Sequence, residues 1–162
     1  MGPVWDVRSE AGFMACYRAT FAEVYRYAAM LCGTDRAAAE DLVQDVYIGA
    51  LQAARRGAVR EISVGYLTVA ARHRFLDRLR SAAREERRLR LVTSVEPADD
   101  PRAVPTLLAD LPDRERTAMV LRHVDDMTVA QIAEAMGVSV QAAESLLARA
   151  ARRLRNQEVR DA

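Results

Sequence analysis

His73 and Asp77 are the side chains whose types and spacing could support acid–base chemistry or half of a metal site. They stand four residues apart, which places them one turn apart on the same face of a helix. The chain contains two histidines and no Cys-x-x-Cys sequence, so a complete zinc ligand set is lacking. No glycine-rich phosphate loop and no nucleophile elbow appears in the sequence. The sequence therefore predicts a protein that is not an enzyme, with no catalytic residue, metal or cofactor.

Arginine is the other residue type suited to chemistry, and that chemistry is anion binding. All 24 Lys or Arg residues are Arg. Eight of them lie within residues 72–90 against three acidic residues, and five within 146–162 against two. Residues 91–145 between these blocks hold ten acidic residues and four Arg. Two basic blocks around an acidic one indicate two separate anionic contacts, although a solvated arginine face is the simpler alternative.

The second basic block falls in a predicted helix-turn-helix over Thr128–Arg155. Thr128 and Gln131 have capping-box spacing, Gly137 can end the first helix in the left-handed conformation, and Ser139 suits the next N-cap. A narrow apolar stripe opposite an arginine-bearing polar face is typical of a helix that contacts DNA, whereas an ordinary helical hairpin is the alternative. The stripe holds Ala143, Leu146, Leu147, Ala150 and Leu154, and the polar face holds Gln141, Glu144, Ser145, Ala148, Arg149, Arg152 and Arg155.

The remaining pattern predicts an all-α fold of two small helical domains joined by a linker. Helices are predicted over 9–33, 36–56, about 66–90, 107–110 and 112–123, with a break at 57–63. The N-terminal domain spans 9–90, an acidic linker with three prolines spans 91–106, and the helix-turn-helix domain spans 107–158. The predicted inward positions are Phe13, Tyr17, Phe21, Val24, Ala28 and Leu31, then Leu42, Val43, Val46, Ala50 and Ala53, then Leu67, Ala71, Phe75 and Leu79, with Leu76 apart from that stripe.

Cys16 and Cys32 bear on the cellular compartment. Sixteen residues of one helix separate them by roughly 24 Å, which is beyond the reach of a disulfide. We therefore expect two small core residues in a reducing cytosol. The sequence shows no signal peptide and no apolar run of transmembrane length, so a cytoplasmic protein is expected.

Four segments in this order resemble a bacterial sigma factor of the short, two-domain, extracytoplasmic-function group. They are AEDLVQDVY at 39–47, YLTVAARHRFLDRLR at 66–80, LPDRERTAMVLRHVDDMTVAQIAEAMGVS at 111–139 and ARAARRLR at 148–155. The acidic linker lies between the second and the third. The resemblance covers roughly residues 12–156, and its specificity comes from the order and spacing of the segments.

This resemblance implies a dissociable subunit of core RNA polymerase that selects promoter DNA, commonly with an anti-sigma factor as a further partner. In the family, the AEDLVQD helix docks on the clamp coiled coil of the largest polymerase subunit, which assigns docking to Asp41, Gln44 and Asp45. The following loop, residues 57–65, and helix open the minus-ten element and hold a flipped base, which assigns that site to Tyr66, His73, Arg74, Asp77 and Arg80. The helix-turn-helix reads the minus-thirty-five element through Gln141, Glu144, Ser145, Arg149, Arg152 and Arg155.

The chain departs from the family pattern at three places. Tyr66 stands where Trp is usual, which preserves stacking, and His73 stands where Asn is usual, which alters the expected minus-ten base preference. Ala142, Ala143 and Glu144 replace a Thr-Val-basic run, and Leu146 replaces a common Arg. Glu144 either repels phosphate or accepts a hydrogen bond from a cytosine amino group.

Two other functions fit parts of the sequence. A stand-alone helix-turn-helix regulator would bind DNA without polymerase, but it does not need the AEDLVQD helix or the basic third helix. A polymerase-binding protein that no longer initiates would fit the sparse recognition helix. The resemblance favours a sigma factor over both.

Overall fold

The computed structural model describes residues 2–88 and 106–161. Within these residues the chain forms seven helices and one small two-stranded sheet, which confirms the predicted helical class. The predicted linker at 91–106 lies outside the described residues except for Thr106. In chain order the elements are β1 Val4–Asp6, α1 Glu10–Cys32, α2 Arg36–Arg55, β2 Glu61–Ser63, α3 Val64–Arg88, α4 Thr106–Ala109, α5 Asp113–His123, α6 Val129–Met136 and α7 Val140–Asp161.

The described residues divide into two compact units. The first unit draws on Met1–Ala28 and Arg36–Phe75, and the second on Ala29–Asp35 and Leu76–Ala162. The last turn of α1 and the second half of α3 therefore belong to the same unit as α4–α7. The predicted domain boundaries at 90 and 107 stay a prediction.

The core of the first unit comes from α1, α2 and the start of α3. All five inward positions predicted for α2 are buried. Val24 and Ala28 of α1 and Leu67 and Ala71 of α3 are fully buried as well. Phe21, predicted to face inward, is instead 38% exposed. The apolar stripe of α1 is thus wider than the face that packs in the core, and the ring of Phe21 lies partly at the surface.

The two strands form an antiparallel pair that sequence periodicity did not predict. Val4 pairs with Ser63, Trp5 with Ile62 and Asp6 with Glu61. Ile62 is completely buried, and the Val7 amide extends the pairing with a hydrogen bond of 2.9 Å to the Arg60 carbonyl. Three-residue strands are too short for an alternating pattern to be recognised, so the segment 57–63 looked like an ordinary break.

The core of the second unit is a cluster around the helix-turn-helix. Leu121 of α5, Ile132 and Met136 of α6, and Leu146 of α7 are buried together. Leu76 of α3 joins them and is 3% exposed, although the sequence set it apart from the main stripe of α3. The two halves of α3 pack in different units, so one periodic stripe could not describe both.

Both ends of α6 and the start of α7 have the predicted capping residues. The Gln131 amide donates to the Thr128 hydroxyl, and the Gln131 side chain accepts from the Thr128 amide at 2.8 Å, which completes the capping box. Gly137 is left-handed with φ 65°. The Ala142 amide donates to the Ser139 hydroxyl at 3.1 Å and so caps α7. These three predictions are confirmed.

Cys16 and Cys32 are buried free thiols, as predicted. Burial raises the pKa of the Cys32 thiol to about 11, and it raises the pKa of Cys16 as well. Neither is placed to react.

Candidate partner-binding and nucleic-acid surfaces

The exposed face of α2 brings the predicted docking residues together. Asp41, Gln44 and Asp45 are exposed, while Leu42 and Val43 between them are buried. Residues three and four apart are neighbours on a helix, so the three polar side chains form one surface. The surface is acidic. The two arginines of α2 are its first and last residues, Arg36 and Arg55, and neither lies between the acidic residues.

An aromatic groove adjoins this acidic surface, and the sequence analysis did not identify it. Tyr17 contacts Phe21 with ring centroids 5.2 Å apart, and Phe21 stacks on Tyr25 at 6.0 Å. The groove has a volume of about 400 Å³, and Asp41 and Gln44 form part of its wall. Its lining comprises Tyr17, Phe21, Tyr25, Glu40, Asp41, Val43, Gln44, Tyr47 and Ile48.

The floor of the groove is held by hydrogen bonds from buried hydroxyl groups. Tyr47 packs edge-on to Tyr17 with ring centroids 4.8 Å apart, and its hydroxyl lies 2.7 Å from that of Thr20. The Thr20 hydroxyl also donates to the Cys16 carbonyl at 2.7 Å. Buried polar groups with partners fix a side chain in one position. The groove is therefore a preformed feature of the first unit.

The first half of α3 presents an exposed stripe. Tyr66, Val69 and His73 are all exposed and are spaced at i, i+3 and i+7, so they share one face. Ser63 caps the helix by accepting a hydrogen bond from the Tyr66 amide at 3.2 Å. Tyr66 is 39% and Val69 40% exposed, so the stripe offers one aromatic ring and one aliphatic side chain to a ligand. Val69 was not among the predicted site residues, because a single exposed valine gives no signal in a sequence.

Arg74 lies on a different side of α3 from this stripe. Its guanidinium covers Gly49 of α2 so closely that a Cβ at residue 49 would overlap the Nη2 atom. Arg74 is half-buried, in contrast to exposed Tyr66 and His73. The structure therefore does not bring Arg74 together with the other two predicted minus-ten residues of the first unit.

Asp77 and Arg80, in the second unit, form a local ion pair. Arg80 Nη2 lies 2.5 Å from Asp77 Oδ1, and Arg80 Nη1 donates to the Ala135 carbonyl at 3.2 Å. Ala135 belongs to α6, next to the turn at Gly137. Arg80 thus makes hydrogen bonds to protein atoms through both terminal amino groups.

The predicted recognition residues all lie exposed along α7. They are Gln141, Glu144, Ser145, Arg149, Arg152 and Arg155. The Ser145 hydroxyl donates back to the Gln141 carbonyl at 2.9 Å, so its oxygen remains as an acceptor. The opposite face, with Ala143, Leu146 and Ala150, is buried. The helix therefore presents its polar side outward, as the pattern predicted.

A buried carboxylate beneath α7 was missed by the sequence analysis. Glu115 of α5 is 5% exposed, and its carboxylate makes ion pairs with Arg149 at 3.6 Å and Arg153 at 2.9 Å. Charged residues are rarely buried without a partner, but sequence alone did not distinguish Glu115 from the exposed acids around it. Arg153, between Arg152 and Arg155, belongs to the same surface.

Neither membrane spanning nor metal binding is indicated by the described residues. None of their helices is both long enough and apolar enough to span a bilayer. Within 2–88 and 106–161, no group of three or more His, Cys, Asp or Glu side chains is arranged to hold a metal ion.

Comparison with known proteins finds two sigma-70 regions in the chain. Residues 16–85 match the family model for sigma-70 region 2, and residues 102–154 match that for sigma-70 region 4. The chain is 29% identical over 145 residues to the ECF RNA polymerase sigma factor SigC of Mycobacterium tuberculosis, which spans 84% of this chain and 77% of SigC. It is 53% identical over 51 residues to RNA polymerase sigma factor SigF of the same species, but that match spans only 32% of this chain and 20% of SigF.

Among solved structures, the sigma factor RpoE of Bartonella quintana, determined in complex with the anti-sigma factor NepR, is similar. The TM-score is 0.51 at 20% identity, covering 89% of this chain and 94% of that one, which is a likeness of fold. The matches to regions 2 and 4 follow each other in the chain and cover most of it. The chain therefore belongs to the sigma-70 family of RNA polymerase sigma factors, in its extracytoplasmic-function group.

Proposed function

We propose that the chain binds core RNA polymerase in the cytoplasm and directs promoter-specific initiation of transcription. One observation carries this proposal: two sigma-70 regions match in succession, and each match contains an exposed surface suited to its task. Region 2 contains the acidic face of α2 and the exposed stripe of α3. Region 4 contains the helix-turn-helix. Binding polymerase and promoter DNA requires exposed binding surfaces but does not require a catalytic group on this chain.

The polymerase contact is assigned to α2 and to the groove beside it. Asp41 and Asp45 give the surface its negative charge, which suits a basic helical partner, and Gln44 between them adds a neutral hydrogen-bonding group. The groove wall shares Asp41 and Gln44, so an apolar side chain of the same partner can enter it while its basic side chains meet the acids. Apolar anchors surrounded by polar contacts are the usual composition of a specific interface.

The minus-ten contact is assigned to the exposed stripe of α3. Tyr66 provides an aromatic ring for stacking on a flipped base, and His73, two turns later, can hydrogen-bond a base edge or a phosphate. Trapping an unstacked base requires a pocket and phosphate contacts, which fits a site without catalytic residues. Arg74, Asp77 and Arg80 belong to this proposal by resemblance, although their side chains contact protein atoms in the present structure.

The minus-thirty-five contact is assigned to α7. Residues near the start of a recognition helix reach base edges, so Gln141, Glu144 and Ser145 are the candidates for base readout. Arg149, Arg152 and Arg155 lie further along the helix, where contacts to phosphate are expected. The shortage of base-reading side chains predicts modest sequence preference at this element.

An anti-sigma factor is proposed as a further partner. The structural neighbour from Bartonella quintana was determined with one. The acidic face of α2 with its aromatic groove is an exposed surface of the kind that such a protein would cover.

Run-off transcription with core RNA polymerase and a library of promoter fragments tests the proposal. We expect transcripts from a subset of fragments only when the chain is added, because a sigma factor supplies the promoter selection that core polymerase lacks. Duplex binding without core polymerase and without transcripts would instead identify a stand-alone regulator. Stable core binding that never gives transcripts would identify a polymerase-binding protein that does not initiate.

A further inference from the structure

Glu115 is a charged side chain in an environment that disfavours charge. Its side chain is 6% exposed and lies in the first turn of α5. An ionised carboxylate removed from water needs a compensating charge. The next residue, Arg116, cannot supply it, because its guanidinium binds the carbonyls of Leu31 and Leu111 and the carboxylate of Asp113. The N-terminal turn of α5 favours a carboxylate, and the positively charged side chains that pair with Glu115 come from another helix.

Two arginines of α7 provide that compensation. Arg149 Nε lies 3.6 Å from Oε1 of Glu115, and Arg153 Nε lies 2.9 Å from Oε2. Within the described part of the chain, Oε2 accepts no well-aligned hydrogen bond, so its interaction with Arg153 is an ion pair. Arg149 and Arg153 stand four residues apart and are neighbours on the helix surface. One buried carboxylate thus holds two adjacent arginines.

Both arginines are held through Nε, the nitrogen nearest the helix. Their side chains remain 55% and 56% exposed, and among described residues the only charged partner of either is Glu115. The outer edge of each guanidinium, with its two amino groups, is thus available to a ligand. Two parallel N–H groups match the geometry of a phosphate.

We propose that Glu115 is a positioning residue for DNA binding, which holds Arg149 and Arg153 so that their outer amino groups meet backbone phosphates of the duplex. This inference rests on the proposed DNA-binding role of α7. Both arginines lie more than two turns beyond the start of α7, where phosphates are nearer than base edges. A long side chain fixed before binding loses less conformational entropy when the complex forms.

The charge change in Glu115→Gln separates positioning from simple electrostatics. Removing one negative charge beside two arginines makes the surface more positive, so electrostatics alone predicts tighter DNA binding and a steeper salt dependence. Positioning predicts the opposite result, because the arginines lose the group that orders them. We expect roughly three- to tenfold weaker binding for Glu115→Gln.

The experiment measures fluorescence anisotropy of a labelled 30-base-pair duplex of random sequence, titrated with the full chain at several salt concentrations. A random duplex suffices because phosphate contacts are independent of sequence. The variants are Glu115→Gln, the double variant Arg149→Ala/Arg153→Ala, and the triple variant that combines them. Arg152→Ala, with and without Glu115→Gln, is the matched control. Circular dichroism and thermal unfolding of each variant accompany the titrations.

The variant backgrounds distinguish positioning from a loss of fold. Glu115→Gln should cause no further loss of affinity when both arginines are already Ala, since it acts through them. In an Arg152→Ala background the loss should persist in full, because Arg152 is exposed and makes no ion pair with Glu115. Loss of affinity in the double-Ala background would show that Glu115 acts through the fold alone and would overturn the proposal.

Three further outcomes also decide the question. Unchanged or tighter binding by folded Glu115→Gln overturns the proposal, as does a wild-type chain that binds no duplex at any salt concentration. Wild-type duplex binding with the expected loss in Glu115→Gln, but without transcripts on core polymerase, supports the positioning role and overturns initiation of transcription. The two failures are therefore distinguishable.

Discussion

Arg116 lies against Gly33 so closely that a Cβ at residue 33 would stand 2.5 Å from the guanidinium carbon. In this position Arg116 Nε donates to the Leu31 carbonyl at 3.1 Å, and Nη1 donates to the Leu111 carbonyl at 2.9 Å. Gly33 also has φ 64°. Both backbone conformation and available space therefore restrict residue 33 to glycine, and Arg116 satisfies a carbonyl at the end of α1.

Gly33→Ala should destabilise the second unit more than Gly137→Ala does. The two glycines have φ 64° and 65° in the same unit, and a Cβ at Gly137 meets only Arg80 Cδ at an ordinary 3.6 Å. Left-handed backbone costs about 1–2 kcal/mol in both variants. Gly33→Ala additionally displaces a buried charged donor, which costs about 1.5–3 kcal/mol. Hydrogen exchange of amides in α5 and α6 measures the difference, and equal losses would contradict the role of Arg116.

Asp41→Arg should weaken binding to core RNA polymerase without affecting the fold. Asp41 is exposed on the acidic face of α2, and reversing its charge places like charges together in the proposed interface, which costs several kcal/mol. A titration of labelled core polymerase measures the effect. Glu23→Arg is the control, since Glu23 is an exposed acid of α1 outside the groove lining. Equal effects of both variants would indicate general electrostatics in place of a docking site.

Phe21→Ala should also weaken core binding, through loss of an apolar contact. Phe21 is 38% exposed and lines the groove beside Asp41. Truncating an aromatic anchor at an interface costs more than about 1 kcal/mol, or about fivefold in affinity. Met14→Ala is a matched control, because Met14 is 37% exposed on the same helix and does not line this groove. Unchanged affinity of Phe21→Ala would remove the groove from the interface.

His73→Ala should reduce promoter opening more than it reduces duplex binding. His73 is exposed two turns after Tyr66, on the stripe assigned to the melted minus-ten element. Permanganate reactivity of minus-ten thymines reports opening, and a mobility-shift assay with holoenzyme reports binding. The other histidine, His123 at the end of α5, serves as the control. Equal losses in both assays would assign His73 to duplex contacts or to folding.

The buried thiol of Cys32 should make stability depend on alkaline pH. Burial raises its pKa from 9.0 to about 11, so the folded chain keeps the proton that the unfolded chain releases. Its contribution is therefore complete below pH 9 and is lost as pH rises from 9 to 11. Cys32→Ala should show a smaller decrease in thermal stability over this interval. A wild-type profile parallel to that of Cys32→Ala would contradict this assignment.

Patterns confined to one helix and its caps could be predicted from the sequence. The capping box at Thr128, the left-handed Gly137 and the inward face of α2 depend on neighbouring residues alone. Phe21 was wrongly predicted to face inward, and the burial of Leu76 was not predicted, because the burial of each depends on which other helices pack nearby. Phe21 continues an apolar stripe past the core, whereas Leu76 leaves the main stripe and enters the second core.

Contacts between distant residues left no local signal. Glu115 has the same sequence character as Asp113, yet Glu115 is buried and Asp113 is exposed. Only the packing of α5 on α7 distinguishes them. The pairing of β1 with β2 is similar, since it joins Val4–Asp6 to Glu61–Ser63 through single three-residue segments.

That strand pair has an optical consequence. Trp5 is the only tryptophan of the chain, and it pairs with the buried Ile62, two residues before α3 begins. Its indole emission therefore reports on the segment that leads into Tyr66 and His73, without any added fluorophore. A spectral shift on mixing with single-stranded DNA would record a change at this segment in real time. Excitation at the long-wavelength edge of the indole absorption band keeps the tyrosines out of the signal.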